Sequence, residues 1–429
     1  ELMNNILREK ISEGINFTYI PEEKFKTNVI SFSMFTPLSK SEVSKNALLP
    51  NLLSHSCRQY PTLKDISTKL EGLYGASVNS SLSKLGDCQV INLCAEGLSG
   101  KFAYENPNNT NDLTNLLCEM IFEPNLENGK FKEENLELEK RQLIEDILSE
   151  MNDKKAYASR RCEEIMFEND KFGINILGTI EEAKSLTSEQ VTKAWGDLLK
   201  SAHIEITVIG KASYESIISE FKSRFAKINR QPQAMLETKV KERAKEIKEV
   251  TENMDVSQCK LVMGLYAGTA YPSKDTSAMI VMNALFGGTA QSKLFLNVRE
   301  KLSLCYYCSS RYNKAKGVIF ISSGVEKEKL KEAKKEIINQ LKEVKVGNFA
   351  ESDLAETKMY LSQNMESISD SLSSLTSWYI SQSFLGEMKS PEELIKEINE
   401  VKREKVIEVA NKITLDTVYT LCKTDKEDE

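Results

Sequence analysis

Arg299 and Tyr306 are the two residues best placed to do chemistry together. They stand seven positions apart in FGGTAQSKLFLNVREKLSLCYY, residues 286–307, where a helical stretch runs into a strand carrying paired tyrosines. A guanidinium offers several directed N–H donors and a phenol offers one more, so the pair suits stabilisation of an oxyanion or capture of a peptide carbonyl. The plainer alternative is that Arg299 pairs with Glu300 while the tyrosines pack in a sheet. Tyr307 is the adjacent candidate, with its side chain on the opposite face of the strand.

No partner half-site stands out elsewhere. The chain holds two histidines, His55 and His203, and neither has a histidine or glutamate four residues away. His203, in SAHIEITVIG, opens an alternating strand and reads as a surface or edge residue; His55, after ALLPNLL, reads as a solvated side chain or one with its hydrogen bonds satisfied. Cys305 and Cys308 form a CxxC, but LSLCYYCSS reads as a strand, whereas redox and zinc pairs sit at helix starts or in knuckles with a second pair nearby. A structural role is the expectation there. Nine cysteines, an odd number spread through apolar segments, suit buried thiols in a reducing cytoplasm.

Composition narrows the classes further. The 429 residues carry a net charge of -7, which argues against a nucleic-acid surface built of clustered Lys and Arg. Charges of both signs interleave, as in KVKERAKEIKEV at 239–250, a pattern expected of a solvated helix face. There is no apolar run of about 18 residues, and the opening ELMNNILREKISEG lacks the apolar core of a secretory signal, so no membrane partner is expected.

The elements that must position Arg299 and Tyr306 recur twice in the same order. NVISFSMF from Asn28 and KLVMGLY from Lys260 alternate like half-buried strands, offset by about 230 residues, and each precedes a helix, at 46–53 and 276–285. LEGLYGASVNSS from Leu70 corresponds to KLSLCYYCSS from Lys301, each a helix end entering a strand. Helices from Leu113 and Leu330, long amphipathic helices from Glu133 and Glu351, and a closing helix and strand complete each half. The expected architecture is α+β: two duplicated halves, each a mixed or antiparallel sheet with helices packed on one face. The halves span 1–228 and 254–429, joined by a polar linker at 229–253 that is partly helical. Gly287 and Gly288 are expected to make a tight turn ahead of the helix carrying Arg299. The strand at 84–94, KLGDCQVINLC, is expected to present an edge to which an extended peptide adds.

The duplicated halves, the 286–307 segment and ILGTIEEAKSLTSEQVTKAW at 176–195 together resemble the insulinase or pitrilysin family, which includes the mitochondrial processing peptidase and the core proteins of the bc1 complex. The resemblance runs from about Asn28 to Leu421. It implies an HxxEH zinc motif on a first-half helix, a downstream glutamate ligand, and an arginine and tyrosine from the second half. Counting back from SCRQYPTLKDISTKLEGLYGAS places the motif positions at Ala47, Leu48, Leu49, Pro50 and Asn51, none a histidine, with the downstream ligand near Glu145 or Asp146. Arg299 and Tyr306 match the arginine and tyrosine. The expectation is a zinc-less subunit with no cofactor of its own. It would lend Arg299 and Tyr306 to the zinc site of a homologous HxxEH-bearing partner and act on a peptide substrate. A homodimer of the isolated chain stays open as an assembly. The rival reading is a non-enzymatic scaffold or peptide-binding protein like the bc1 core subunits, and a self-sufficient metallopeptidase with unconventional ligands ranks last.

Overall fold

The computed structural model describes residues 6–234 and 237–423, arranged in two units. One takes the described residues up to Ile147, then Ile174–Glu237 and Ser371–Met388. The other takes Leu148–Gly173, Thr238–Asp370 and the described residues from Lys389 onward. Each unit therefore incorporates a segment from the far side of the 229–253 region.

The first unit is built on a six-stranded sheet in the order Leu7–Ser12, Ile15–Pro21, His203–Gly210, Thr27–Pro37, Cys88–Leu98, Ser77–Leu85. Ile15–Pro21 and His203–Gly210 pair in parallel and every other pairing is antiparallel. Thr27–Pro37 does not alternate in burial as its sequence predicts; eight consecutive residues are buried. The reason is its place in mid-sheet with both faces covered. Phe32 packs on one face against Phe122, Phe221 and Phe225, with centroids 5.9–6.3 Å apart, while Phe35 stacks on Phe384 of the helix Leu372–Leu385 at 6.0 Å.

The second unit repeats this plan with five strands: Cys305–Asn313, Val318–Val325, Cys259–Tyr266, Thr414–Cys422, Lys248–Asn253. One pair, here at the edge of the sheet, is again parallel and the other three pairings antiparallel. Strand for strand this matches the first sheet without Leu7–Ser12, so the duplication read from the sequence is present in the topology. The helix Lys154–Met166 lies on this sheet and approaches closely at Gly264, where a Cβ would come within 2.7 Å of Met166 Sδ. Ala158 and Cys162 from that helix join Val262, Tyr419 and Leu421 in one core cluster.

Several expectations are corrected here. Among the described residues of 229–253 there is no helix, and Lys248–Asn253 is a strand paired with Thr414–Cys422. Its alternating side chains explain the change: Val250 packs into the core, and Glu252 receives Arg161 at 2.6 Å and Tyr419 Oη at 2.7 Å. His203 is neither on an edge strand nor on the surface. Its Nε2 lies 2.7 Å from the buried Glu205, which also accepts two 2.9 Å bonds from Arg8 and one from Asn16. Burial works to raise the Glu205 carboxyl, and the bonds from His203, Arg8 and Asn16 outweigh it, so its pKa lies below the ordinary value. The cysteines are not all thiols either. Cys259 and Cys422, facing each other across adjacent antiparallel strands, form a disulfide. Among the described residues no helix is long and apolar enough to cross a membrane.

Candidate functional site

Two separate groups of residues carry the chemistry anticipated from the sequence, one in each unit. The first sits at the end of the helix Val43–Ser54, where the expected motif positions Ala47–Asn51 are mostly core: Leu48, Leu49 and Pro50 are buried. The helical i, i+4 pair that faces a carboxylate lies four residues later, as Asn51 and His55. Glu139, from the helix Glu133–Asn152, accepts a 2.9 Å bond from Asn51 Nδ2 on one oxygen and has His55 Nδ1 2.9 Å from the other. The residue just before His55 is Ser54, hydrogen-bonded to Ser80 at 3.2 Å, and Ser80 also reaches Asn51 Oδ1 at 3.3 Å.

The motif frame is thus NLLSH at 51–55, and the downstream carboxylate is Glu139, not Glu145 or Asp146. His55, read from sequence as an isolated side chain, belongs to this cluster. The residues do not fit a zinc ion. Asn51 turns an amide N–H toward the carboxylate where an imidazole ligand is needed, and Ser54 replaces the carboxylate that would activate water. Among the described residues no three of His, Cys, Asp and Glu converge as metal ligands.

Beside this cluster runs Ser77–Leu85, and this strand, not 84–94, is the edge of the sheet. Cys88–Leu98 is interior, paired on both sides; the rest of the anticipated segment is the last two residues of Ser77–Leu85, Lys84 and Leu85, and the two-residue turn at 86–87. The alternation of Ser77–Leu85 between exposed and half-buried residues fits an edge with one solvated face.

The second group lies in the other unit. Arg299 sits on the helix Leu294–Lys301, which is wound as a wide π-type turn, and Tyr306 follows on the strand Cys305–Asn313. Between them Ser303 adopts a left-handed φ of 49°, and Leu304 N–H closes on Val298 C=O at 3.0 Å, turning the chain sharply from helix to strand. Gly287 serves close packing, not a left-handed turn: a Cβ there would lie 2.5 Å from Ser310 Oγ and 2.6 Å from Leu294 Cδ1.

Arg299 and Tyr306 line one cleft of about 340 Å³ together with Ser303, Cys305, Glu326 and Lys329. Arg299 is 41% exposed, lies 3.4 Å from Glu300 and rests 4.6 Å over the Phe295 ring. Tyr306 is 56% exposed and donates its hydroxyl to Glu326 at 2.9 Å, a bond that raises the phenol pKa and lowers that of the carboxyl. The structure brings the two sequence candidates to the same cleft and leaves both open to solvent. Tyr307 is half-buried, with Lys155 Nζ 4.4 Å from its ring centroid, and does not line the cleft.

Comparison with known proteins decides the family. Residues 185–361 match the model of the peptidase M16 inactive domain. YmfF of Bacillus subtilis (strain 168), described as a probable inactive metalloprotease, is 32% identical over 413 residues, covering 96% of each chain. The chain belongs to the M16 peptidase family. YmxG of the same bacterium, described as an uncharacterized zinc protease, is 24% identical over 374 residues, covering 83% of this chain and 88% of its own. A crystal structure of a conserved Enterococcus faecalis V583 protein superposes with a TM-score of 0.92 at 25% identity, covering 99% of this chain and all of the other.

The insulinase and pitrilysin resemblance read from the sequence is this M16 relationship. The chain is an M16 peptidase homologue, similar over nearly its whole length to a protein described as a probable inactive metalloprotease, and its Asn51, Ser54, His55 and Glu139 cluster does not fit a zinc ion.

Proposed function

We propose that this M16 homologue is the zinc-less subunit of a heterodimeric peptidase, lending Arg299 and Tyr306 to the metal site of an HxxEH-bearing homologous partner. One observation carries the reading: the metal side is disabled at Asn51 and Ser54, while Arg299 and Tyr306 stay solvent-open in one cleft. The zinc belongs to the partner, and the peptide substrate adds along an exposed strand edge, for which Ser77–Leu85 is the counterpart in this chain. That Bacillus subtilis has relatives of both descriptions supports pairing between unlike chains. Cytoplasmic residence draws on the seven free cysteines, against the one Cys259–Cys422 disulfide. The repeat halves are taken as 1–228 and 254–429, with the strand Lys248–Asn253 added to the second.

The test is complementation. Mixed with an HxxEH-bearing homologue, the chain restores peptide cleavage, and Arg299→Ala lowers kcat about 100-fold or more while the complex elutes unchanged in gel filtration. Undiminished cleavage by the variant complex would refute the donor role. A second reading, a scaffold that binds peptide without cleavage, draws on one feature: Tyr306 and Arg299 are already engaged by Glu326 and Glu300. It predicts peptide binding and no cleavage with any partner.

A further inference from the structure

Cys305 and Cys308 are three positions apart on one strand, a spacing that places side chains on opposite faces when the strand is regular. A bulge changes that. Cys305 pairs with Val325 and Tyr307 with Gly324, so Tyr306 is the extra residue and Cys308 returns to the face of Cys305. Both thiols are buried, and the bulge makes them neighbours on the same face of the strand. Cys305 also lines the cleft beside Tyr306, so an oxidant in that cleft meets a thiol with a second thiol behind it.

We propose that Cys305 and Cys308 are an oxidant-sensitive dithiol whose closure to a disulfide re-aims Tyr306. With glutathione disulfide as oxidant, the Cys305 thiolate attacks one glutathione sulfur and expels the other as a thiolate. Reduced Cys305 and burial together hold the Cys308 thiol well above its ordinary pKa; capping Cys305 removes its part, and the Cys308 thiolate then attacks Cys305 Sγ and expels the second glutathione. The two protein thiols give up two protons and two electrons, and glutathione disulfide is reduced to two glutathiones. Contact with Cys308 holds the Cys305 thiol below its ordinary pKa, which favours it as the attacking group. Four of the other five free thiols compete poorly: burial pushes Cys94 up to about 12 and raises Cys57, Cys118 and Cys162 as well.

A disulfide needs Cα atoms within roughly 4.4–6.8 Å, so the backbone between the cysteines must tighten, and Tyr306 is the unpaired residue there. The effect on the cleft rests on reading Tyr306 as a donor, whereas the thiol chemistry does not.

The experiment equilibrates the whole chain in glutathione buffers of rising oxidised fraction, followed by alkylation and peptide mapping. The expected result is loss of two alkylatable thiols per chain as a linked Cys305–Cys308 peptide, with Cys57, Cys94, Cys118 and Cys162 still reduced. Cys308→Ser stops at a mixed disulfide on Cys305. In 3-fluorotyrosine-labelled protein, the resonance assigned through Tyr306→Phe shifts on oxidation and returns with dithiothreitol. Cysteines that stay alkylatable throughout, a persistent mixed disulfide in the unsubstituted chain, or an unmoved Tyr306 resonance would each overturn the proposal. None of these readouts uses a partner, so a failed complementation counts against the peptidase reading alone.

Discussion

Asn51 donates to Glu139 from a position where a zinc site would need an imidazole, and His55 still meets the other oxygen of the same carboxylate. The cluster therefore differs from an HxxEH site at two side chains, Asn51 and Ser54. Asn51→His with Ser54→Glu should give a chain that binds stoichiometric zinc, read by metal analysis after dialysis, and adding Glu139→Gln should remove it. No zinc in the double variant would mean that the helix does not present these positions as described. The spacing of Arg299 and Tyr306 marks them as candidates in the sequence, and the structure places both on one cleft. Sequence reasoning misplaced the metal side by four residues because asparagine and serine carry no ligand signal, and because the count ran back through the loop at 55–62 from a distant anchor. The available clue was His55 itself, the one histidine at the end of an apolar helix, with Asn51 one turn earlier. Glu205 makes the pH-dependent prediction at this scale. Its folded pKa lies below the unfolded value of 4.5, so its contribution is present above that value and is lost as pH falls through the folded one. The urea midpoint should drop below about pH 4.5, and Glu205→Gln should flatten that drop. At pH 7 the variant should be about 1–3 kcal/mol less stable, under the 3–5 of a fully buried pair because Arg8 keeps 33% exposure.

At the scale of elements, the turn from the π-type helix Leu294–Lys301 into the strand Cys305–Asn313 holds the donor pair. Its support is the tight contact at Gly287, which leaves no room for a methyl group. Gly287→Ala should cost about 1–3 kcal/mol in denaturant unfolding and weaken complementation by shifting Leu294 and Ser310. An unchanged midpoint would show that Ser310 and Leu294 yield freely. Most elements were legible, since apolar alternation and amphipathic periods mark Thr27–Pro37, Cys259–Tyr266 and the long helices. Lys248–Asn253 was not, because its charges satisfy a solvated helix as well as an edge strand. Only the partners of Val250 and Glu252, on other elements, choose between the two. The sheet edge was misassigned for a similar reason: the apolar run at 88–94 marks an interior strand, whereas the neighbouring edge strand, Ser77–Leu85, is polar and sequence-quiet.

At the scale of the whole molecule, the duplication was legible and the exchange of segments was not. Helices Lys154–Met166 and Leu372–Leu385 have no sequence feature that says which sheet they cover; the answer lies in tertiary packing. The exchange predicts that 1–228 expressed alone, without Ser371–Met388, exposes Phe35 and does not fold cooperatively, as seen by near-ultraviolet dichroism and dye binding. Co-expression with 229–429 should restore a folded complex. A cooperative, dye-silent 1–228 fragment would contradict it. The central claim is that this M16 chain holds no zinc and serves the zinc of another. The most direct measurement is zinc content of the isolated chain and of the complementing pair, assayed alongside peptide cleavage. The predicted result is no zinc and no cleavage for the chain alone, with both appearing when the HxxEH-bearing partner is added; stoichiometric zinc on the isolated chain with chelator-sensitive cleavage would contradict the account.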